Sequence, residues 1–414
     1  MLCDRINTPT LIGLVFVGTA GCADAGEDPD GVIESYEEAR CPLTDIKRIA
    51  AAHDHTCVIR DDGGAACWGR NFGGQLGHGA RPSGPETASE LARRCTMPIR
   101  VLHGWNSGSG KLRDLAVGAA YSCFQNAYEL ACTGPGFGDI PTTFRPLKPL
   151  SPTASFGGIG SHFCVQSGWL WDSQLNCFGN NSDHQLGYEP DSYAPDRFPH
   201  SAMLAALGFR HTCSVDYYGF VNCWGSNDSG QLGHPDDLSN GTESIVWTGT
   251  KAGGVAAGGS HSSLSTVDGA VFCFGGNENG QLGVGDQLPH PEGPVRVEGI
   301  PTPVTEIHAG LLHTCARSGG ELYCWGDNSH GQLGFASPAL VTTPTLVTLP
   351  EAIRTFTTGS EYTCVVGVSN QAWCFGNNSS GQLGDGTWTD RKEPTPVVVP
   401  CDSGLKWTPS YQGQ

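Results

Sequence analysis

Basic residues are scarce in this chain, with 23 Lys and Arg against 41 Asp and Glu and a formal net charge of −18. That balance argues against a fold-wide nucleic-acid surface, which needs clustered cations against phosphate. Charge of either sign is sparse, only 15% of 414 residues. Long apolar runs are missing beyond the N-terminal stretch, so no later segment is long enough to span a bilayer. Long helices are not expected either, because 59 glycines and 27 prolines interrupt the chain. No Cys-x-x-Cys pair is present, which removes the usual zinc spacing. Nucleophile elbows, phosphate loops, His-Glu-x-x-His and compact carboxylate pairs are also missing. No catalytic residue, cofactor or metal ligand is therefore assigned, and the chain does not read as an enzyme.

What is present is a repeat. The stretch from His313 to Gly334 places Cys315 and Cys324 on two short strand-like arms around Ser318-Gly319-Gly320, a hairpin signal. The second arm ends in Trp325-Gly326, and Gly331-Gln332-Leu333-Gly334 follows. Seven copies occur. Their leading elements are His55-Thr56-Cys57, Tyr121-Ser122-Cys123, His162-Phe163-Cys164, His211-Thr212-Cys213, His261-Ser262-Ser263, His313-Thr314-Cys315 and Tyr362-Thr363-Cys364. The second copy lacks the Gln-Leu-Gly corner. A short apolar stretch precedes each hairpin, and a proline-containing edge-like strand follows several, as at Pro294–Val297 and Pro396–Val399. Each unit offers about four short strands, the content of one propeller blade. One blade cannot bury both faces alone, so neighbours must stack.

The His-Thr-Cys, Cys-Trp-Gly and Asn-x-x-Gly-Gln-Leu-Gly elements resemble the regulator of chromosome condensation repeat family over about Cys41 to Cys401. The resemblance implies an all-β fold, a seven-bladed β-propeller of four-stranded blades. Its ring would be closed by joining N- and C-terminal strands. Ile46–Ala50 has no Pro-Val strand before it and Val397–Val399 has no repeat after it, so the joined ends are expected to complete one composite blade. Cys41 and Cys401 flank those strands and are expected to form a disulfide clasp. Within the repeats, six pairs sit opposite one another on hairpin arms: Cys57 with Cys67, Cys123 with Cys132, Cys164 with Cys177, Cys213 with Cys223, Cys315 with Cys324, and Cys364 with Cys374. Ser263 leaves Cys273 as a buried free thiol, and Cys95 has no obvious partner, a bond to Cys273 being the remaining option. The histidines before the cysteines would be spread around the ring, which suits a structural role rather than a shared ion.

Residues 1–22 read as an export signal: Arg5, an apolar run from Leu11 to Val17, then Thr19-Ala20-Gly21-Cys22. The ending is similar to a bacterial lipoprotein signal, in which Cys22 would carry the lipid. The alternative is an ordinary cleavage site. Export also makes the disulfides plausible. Residues 23–40 carry Asp24, Glu27, Asp28, Asp30, Glu34, Glu37 and Glu38 and read as an acidic disordered tether. The propeller occupies 41–401 and a tail 402–414.

Function would sit on inter-strand loops, where inserts vary freely. The candidate anchors are Arg93, Arg94 and Trp105 in the first insert, Trp169 and Trp171 in the third hairpin, and Trp247. Trp and Arg are favoured at protein interfaces. The expectation is one binding face made from these loops. The family includes chromatin-binding exchange factors for a small GTPase and an exported inhibitor of β-lactamases, so the resemblance implies a binding protein. The expected role is an extracytoplasmic, monomeric protein-interaction scaffold with a protein partner, no nucleic acid, and membrane contact only through a lipid at Cys22. The alternatives are an exchange-factor-like regulator and a lectin-like binder of cell-surface carbohydrate.

Overall fold

The computed structural model describes residues 40–77, 94–101, 111–126, 130–134, 138–144, 150–167, 174–187, 202–234, 244–246 and 248–400. Among them every regular element is a strand. Strand β1 is Arg40–Pro42. The first sheet holds β2 (Ile46–Ala51), β3 (His55–Arg60), β4 (Ala65–Arg70) and β5 (Arg94–Arg100). The second holds β6 (Asp114–Val117), β7 (Ser122–Gln125), β8 (Leu130–Gly134) and β9 (Gly138–Phe144). The third holds β10 (Leu150–Phe156), β11 (His162–Ser167) and β12 (Gln174–Gly179), its following segment lying outside the described residues. The fourth holds β13 (Ala202–Leu207), β14 (His211–Asp216), β15 (Val221–Gly225) and β16 (Ser244–Val246). The fifth holds β17 (Ala252–Ala257), β18 (His261–Thr266), β19 (Val271–Gly275) and β20 (His290–Val297). The sixth holds β21 (Val304–Ala309), β22 (His313–Ser318), β23 (Glu321–Asp327) and β24 (Leu340–Leu346). The seventh holds β25 (Ile353–Thr358), β26 (Tyr362–Gly367), β27 (Ala372–Gly376) and β28 (Arg391–Pro396). Strand β29 is Val398–Pro400.

Each sheet is an antiparallel meander in chain order. Its first strand is innermost. The inner strands β2, β6, β10, β13, β17, β21 and β25 touch one another in sequence, and β25 touches β2. That circle of contacts closes the propeller. The ends do join, but not as the composite blade expected from the sequence. The first and seventh sheets each have four strands of their own, and β1 pairs with β29 as a separate ribbon: Arg40↔Pro400, Cys41↔Val399, Pro42↔Val398. The outer strand of the seventh sheet is Arg391–Pro396, so the Pro396–Val399 run divides between sheet and ribbon. Cys41 is disulfide-bonded. Cys401 lies outside the described residues, as do Cys22, the export signal, residues 23–39 of the acidic tether and the tail; Arg40, the last residue of the expected tether, begins β1 instead.

The corner motif explains itself locally. In the first sheet the Asn71 carboxamide oxygen accepts from Leu76 N (3.0 Å) and Gln75 accepts from Gly73 N (2.8 Å). The same pair recurs at Asn181 and Gln185, Asn227 and Gln231, Asn277 and Gln281, Asn328 and Gln332, and Asn378 and Gln382. Amides thus satisfy buried loop N–H groups. The first corner glycine has positive φ, +80° at Gly74. The third copy holds His184 there, at φ 61°.

Sheets are fastened to one another through the corners. Trp68 Nε1 donates to Gln382 O (2.8 Å), Trp224 to Gln185 O (3.0 Å) and Trp325 to Gln281 O (2.9 Å), each reaching the preceding sheet. Phe274 and Phe375 are buried at the equivalent position. Phe178 is 48% exposed instead. The second sheet beside it lacks the Gln-Leu-Gly corner that covers the ring elsewhere.

The leading histidines form a second set of ties. Nε2 of His162, His211, His261 and His313 lies 2.8–3.1 Å from the hydroxyl of Thr212, Ser262, Thr314 and Thr363 on the next sheet. Each of those hydroxyls donates its one proton to a corner carbonyl, Gln185, Gln231, Gln281 or Gln332. The hydroxyl oxygen must therefore accept from Nε2–H, which leaves Nδ1 bare, and Nδ1 of all four is buried without a partner. His55 reaches Ser122 in the same way (2.9 Å). Burial pushes these imidazoles down, to about 4 at His55, His162 and His313 and about 3 at His211 and His261. The five stand on five different sheets, each tied to a hydroxyl.

The six hairpin cysteine pairs are bonded, with S–S distances of 1.99–2.09 Å. Each pair is directly opposite in register, as in Cys315↔Cys324. Cys273 is buried and free, 2.9 Å from Ser263 Oγ. Its freedom rules out the bond to Cys95.

Candidate protein-interaction face

Strand polarity gives the ring two unlike faces. One carries the turns between second and third strands together with the links between sheets. Gly219 O accepts from Ala252 N, Gly269 O from Val304 N and Gly320 O from Ile353 N, so each turn sits on the link into the next sheet. The other face carries the corners and the tight turns that follow the inner strands.

On the hairpin face the fourth turn stands out. Asp216 Oδ1 accepts from Tyr218 N (2.8 Å) and Phe220 N (2.9 Å), and Gly219 takes φ +88°. This side-chain-to-backbone turn holds the loop without using its tips. Tyr217 and Tyr218 are 48% and 63% exposed and meet edge to face at 5.7 Å. Phe220 is partly exposed. The fifth turn presents Val267, 65% exposed, on a loop closed by Thr266 and Asp268. The seventh presents exposed Val368. By contrast the first carries Asp61-Asp62 and the sixth Gly319-Gly320. Large apolar side chains at turn tips leave about half of their surface uncovered by the fold, and that exposure suits a partner.

Inner strands add charge and shape to the same end. Five of them carry a β-bulge at the second residue, between Ile46 and Arg48, Ala202 and Leu204, Ala252 and Gly254, Val304 and Glu306, and Ile353 and Thr355. The unpaired residues Lys47, Met203, Gly253, Thr305 and Arg354 are all exposed. Arg354 donates to Ile46 O (2.6 Å) and Lys47 O (3.4 Å) across the seventh-to-first junction. Exposed Lys47, Arg48, Arg113 and Arg354 make this side of the inner ring basic, while Met203 and Leu204 make the opposite side apolar. Burial raises the Asp114 carboxyl to about 6 despite nearby Arg48.

The corner face is polar. Burial opposes the Asp54 charge, but His53 and Arg70 outweigh it and hold the carboxyl below its ordinary range. Arg210 bonds Asp183 and lies near Asp228, and it lowers the Asp183 carboxyl. His330 meets Asp390 (2.8 Å) and Glu361 (3.7 Å). Toward the hairpin end of the sixth inner strand, Glu306 is held at about 2 against burial by His308, Thr355 and Arg317. Each group bonds to neighbours in the fold. Among the described residues no cluster of His, Cys, Asp or Glu could hold a metal ion.

Of the anchors expected from the sequence, Arg93, Trp105, Trp169, Trp171 and Trp247 lie outside the described residues. Their described flanks can be placed. Val101 and Lys111, Ser167 and Gln174, and Val246 and Thr248 stand at the hairpin end. Arg94 begins β5 opposite Arg70, at the corner end. The first insert thus contains the outer strand, and Arg94 and Val101 stand at opposite ends of that seven-residue strand, about 20 Å apart. Tyr217, Tyr218 and Val267 were missed by sequence reasoning. Their signal was aromatic or branched residues where other copies place Asp or Gly in the turn.

Two repeat models described as regulator of chromosome condensation (RCC1) repeat match the chain, one at residues 268–317 and 319–366, the other at 46–75 and 304–332. The ultraviolet-B receptor UVR8 of Arabidopsis thaliana is 28% identical over 76% of this chain and 72% of its own. A secretion-regulating guanine nucleotide exchange factor of Bos taurus is 26% identical over 72% of this chain, which spans 59% of that relative. Among solved structures, human WBSCR16 aligns with TM-score 0.66 at 20% identity, covering 80% of this chain and 94% of that one. Yeast RCC1 (Prp20), solved bound to Kap60, aligns at TM-score 0.62 and 18% identity, covering 77% and 79%. These structures share the propeller fold.

Proposed function

We propose that this chain, which belongs to the regulator of chromosome condensation (RCC1) repeat family, is a protein-interaction scaffold working outside the cytoplasm. One observation carries the interaction reading: Tyr217, Tyr218 and Val267 stand exposed on adjacent turns of a rigid ring. The described flanks of Trp169, Trp171 and Trp247 fall at the same end of the neighbouring sheets. A preformed frame loses little entropy when its tips dock. The export reading is supported by six hairpin disulfides and by the signal-like N-terminus.

A second reading is an exchange-factor-like regulator, favoured by the similarity to the bovine secretion-regulating guanine nucleotide exchange factor. The test is crosslinking and mass spectrometry on native cells with the wild-type chain and a Tyr217→Ser/Tyr218→Ser variant. A partner crosslinked through the fourth turn and lost in the variant supports the scaffold. Unchanged capture overturns this face. Accelerated nucleotide release from a small GTPase would favour the second reading, and purely cytosolic fractionation would overturn export.

A further inference from the structure

Two neighbouring junctions of the ring are built alike and filled differently. In the seventh sheet Val397 N donates to Ala372 O, and in the sixth Val347 N donates to Leu322 O, so Val347 and Val397 are equivalent positions. Gly334 and Gly384 close the two corners, and each faces the corresponding valine. Phe335 then stands where the seventh sheet has Asp385.

After Val397 the chain continues as β29. Val398 N donates to Gly384 O (2.9 Å), Val398 and Val399 are half-buried, and β29 reaches β5 on the first sheet. An extended apolar strand therefore fills the rim between the seventh and first sheets. Leu43 N and the Arg40 guanidinium complete it, donating to Val397 O (2.8 Å) and Asp385 O (3.1 Å).

At the rim between the sixth and seventh sheets nothing comparable is present among the described residues. Thr348 and Pro350 are exposed, and no hydrogen bond reaches the backbone of Thr348 or Leu349, or Gly334 O. In that place is a cavity of about 800 Å³. Its walls are Phe335, Val341, Leu346 and Leu349 on one side and Glu393 and Pro394 of β28 on the other. Leu346 is 48% exposed there.

We propose that this groove binds an extended apolar segment of a protein partner, two branched aliphatic residues followed by proline, in the manner that β29 fills the next junction. The segment would donate a backbone N–H to Gly334 O, as Val398 does to Gly384 O. Main-chain bonding at a sheet rim with pockets for alternate side chains is a known mode of peptide capture. The volume is ample for two aliphatic side chains. Glu393, the sole formal charge on the walls, would favour a basic residue beside the motif. The site is distinct from the turn tips and stands whether or not they bind.

The probe is fluorescein-labelled Pro-Val-Val-Val-Pro, the chain's own residues 396–400, titrated by anisotropy against the intact protein. Saturable binding is expected. Methylating the central valine nitrogen, which corresponds to Val398, should weaken it at least tenfold, as should Leu346→Lys, an exposed change the fold tolerates. A benzophenone version should crosslink to residues 335–350. No saturable binding, or binding indifferent to both changes, overturns the proposal. Self-association of the protein that Leu346→Lys abolishes would assign the groove to a second copy and overturn it as well.

Discussion

The Tyr362 hydroxyl donates to His55 O at 2.7 Å across the junction of the seventh and first sheets, between residues 307 apart in sequence. Tyr121 makes the same bond to His162 O, at 2.6 Å, between the second and third sheets. Tyrosine thus stands in for histidine twice, once inside the ring and once at its closure. At the closure Thr56 Oγ1 also lies 2.9 Å from the Tyr362 hydroxyl while donating to Gln382 O.

Removing that hydroxyl should loosen the ring where it closes. Tyr362→Phe leaves the His55 carbonyl with only the Ala52 N–H (3.2 Å) in a fully buried place and should cost about 0.5–1.5 kcal/mol. Hydrogen exchange should quicken in the first and seventh sheets ahead of the others. Tyr121→Phe should cost a similar amount in denaturant titration but quicken exchange only around the second and third sheets. Uniform exchange in both variants would show that the closure is no weaker than any other junction.

Acid should unfold the protein through its histidines. The five buried imidazoles titrate at about 3–4 folded, against 6.5 for the ordinary side chain. Above pH 6.5 both states are neutral and no stability is lost. As pH falls below 6.5 the unfolded chain takes up protons that the folded one refuses, so stability drops until the folded values are reached. Between pH 7 and pH 5 the loss is on the order of 2 kcal/mol per histidine. Asp114 opposes this weakly, because its raised value, about 6, favours the folded state as pH falls toward 4. Urea midpoints measured from pH 7.5 to 4.5 should fall steeply below 6.5. His261→Gln, which keeps a donor for Thr314, should lower the slope by about one proton.

The third corner is strained by its histidine. His184 adopts φ 61° where the other copies have glycine, and its N–H still donates to Asn181 O (3.2 Å) as Gly74 N does to Asn71 O. A left-handed non-glycine residue costs about 1–2 kcal/mol, partly offset by the extra unfolded freedom of glycine. His184→Gly should therefore raise stability by about 0.5–1 kcal/mol in denaturant titration, without changing the fold.

Much of this architecture is legible in the sequence because its signals are local. Cysteines nine to thirteen residues apart across a glycine turn can only face each other in one register, and Cys57, Cys213 and Cys364 do so. The Gln-Leu-Gly corners mark the places where one sheet meets the next. Other features have no such signal. A bulge accepts any residue, so Lys47, Met203, Gly253, Thr305 and Arg354 share no chemistry. Whether Val398 completes a sheet or leaves it for a ribbon depends on Arg40–Pro42, far away in the chain. The exposure of Tyr218 depends on what the surrounding turns leave uncovered.

The fifth sheet shows what one missing cysteine leaves behind. Ser263 faces Cys273 in register, where six other sheets hold a disulfide, and its hydroxyl is 2.9 Å from the thiol. Burial raises that thiol to about 12, so it should resist alkylation in the native protein and react only on unfolding. Ser263→Cys needs no backbone movement, because the same register already accommodates Cys213 and Cys223 next door. Oxidative refolding of the variant should remove the one thiol that denaturation exposes in the fifth sheet, and raise stability by about 2–3 kcal/mol for a loop of this length. Thiol titration in guanidinium and the denaturation midpoint, with and without reductant, check both effects. A gain that survives reductant would trace to the smaller polarity of sulfur rather than to the bond.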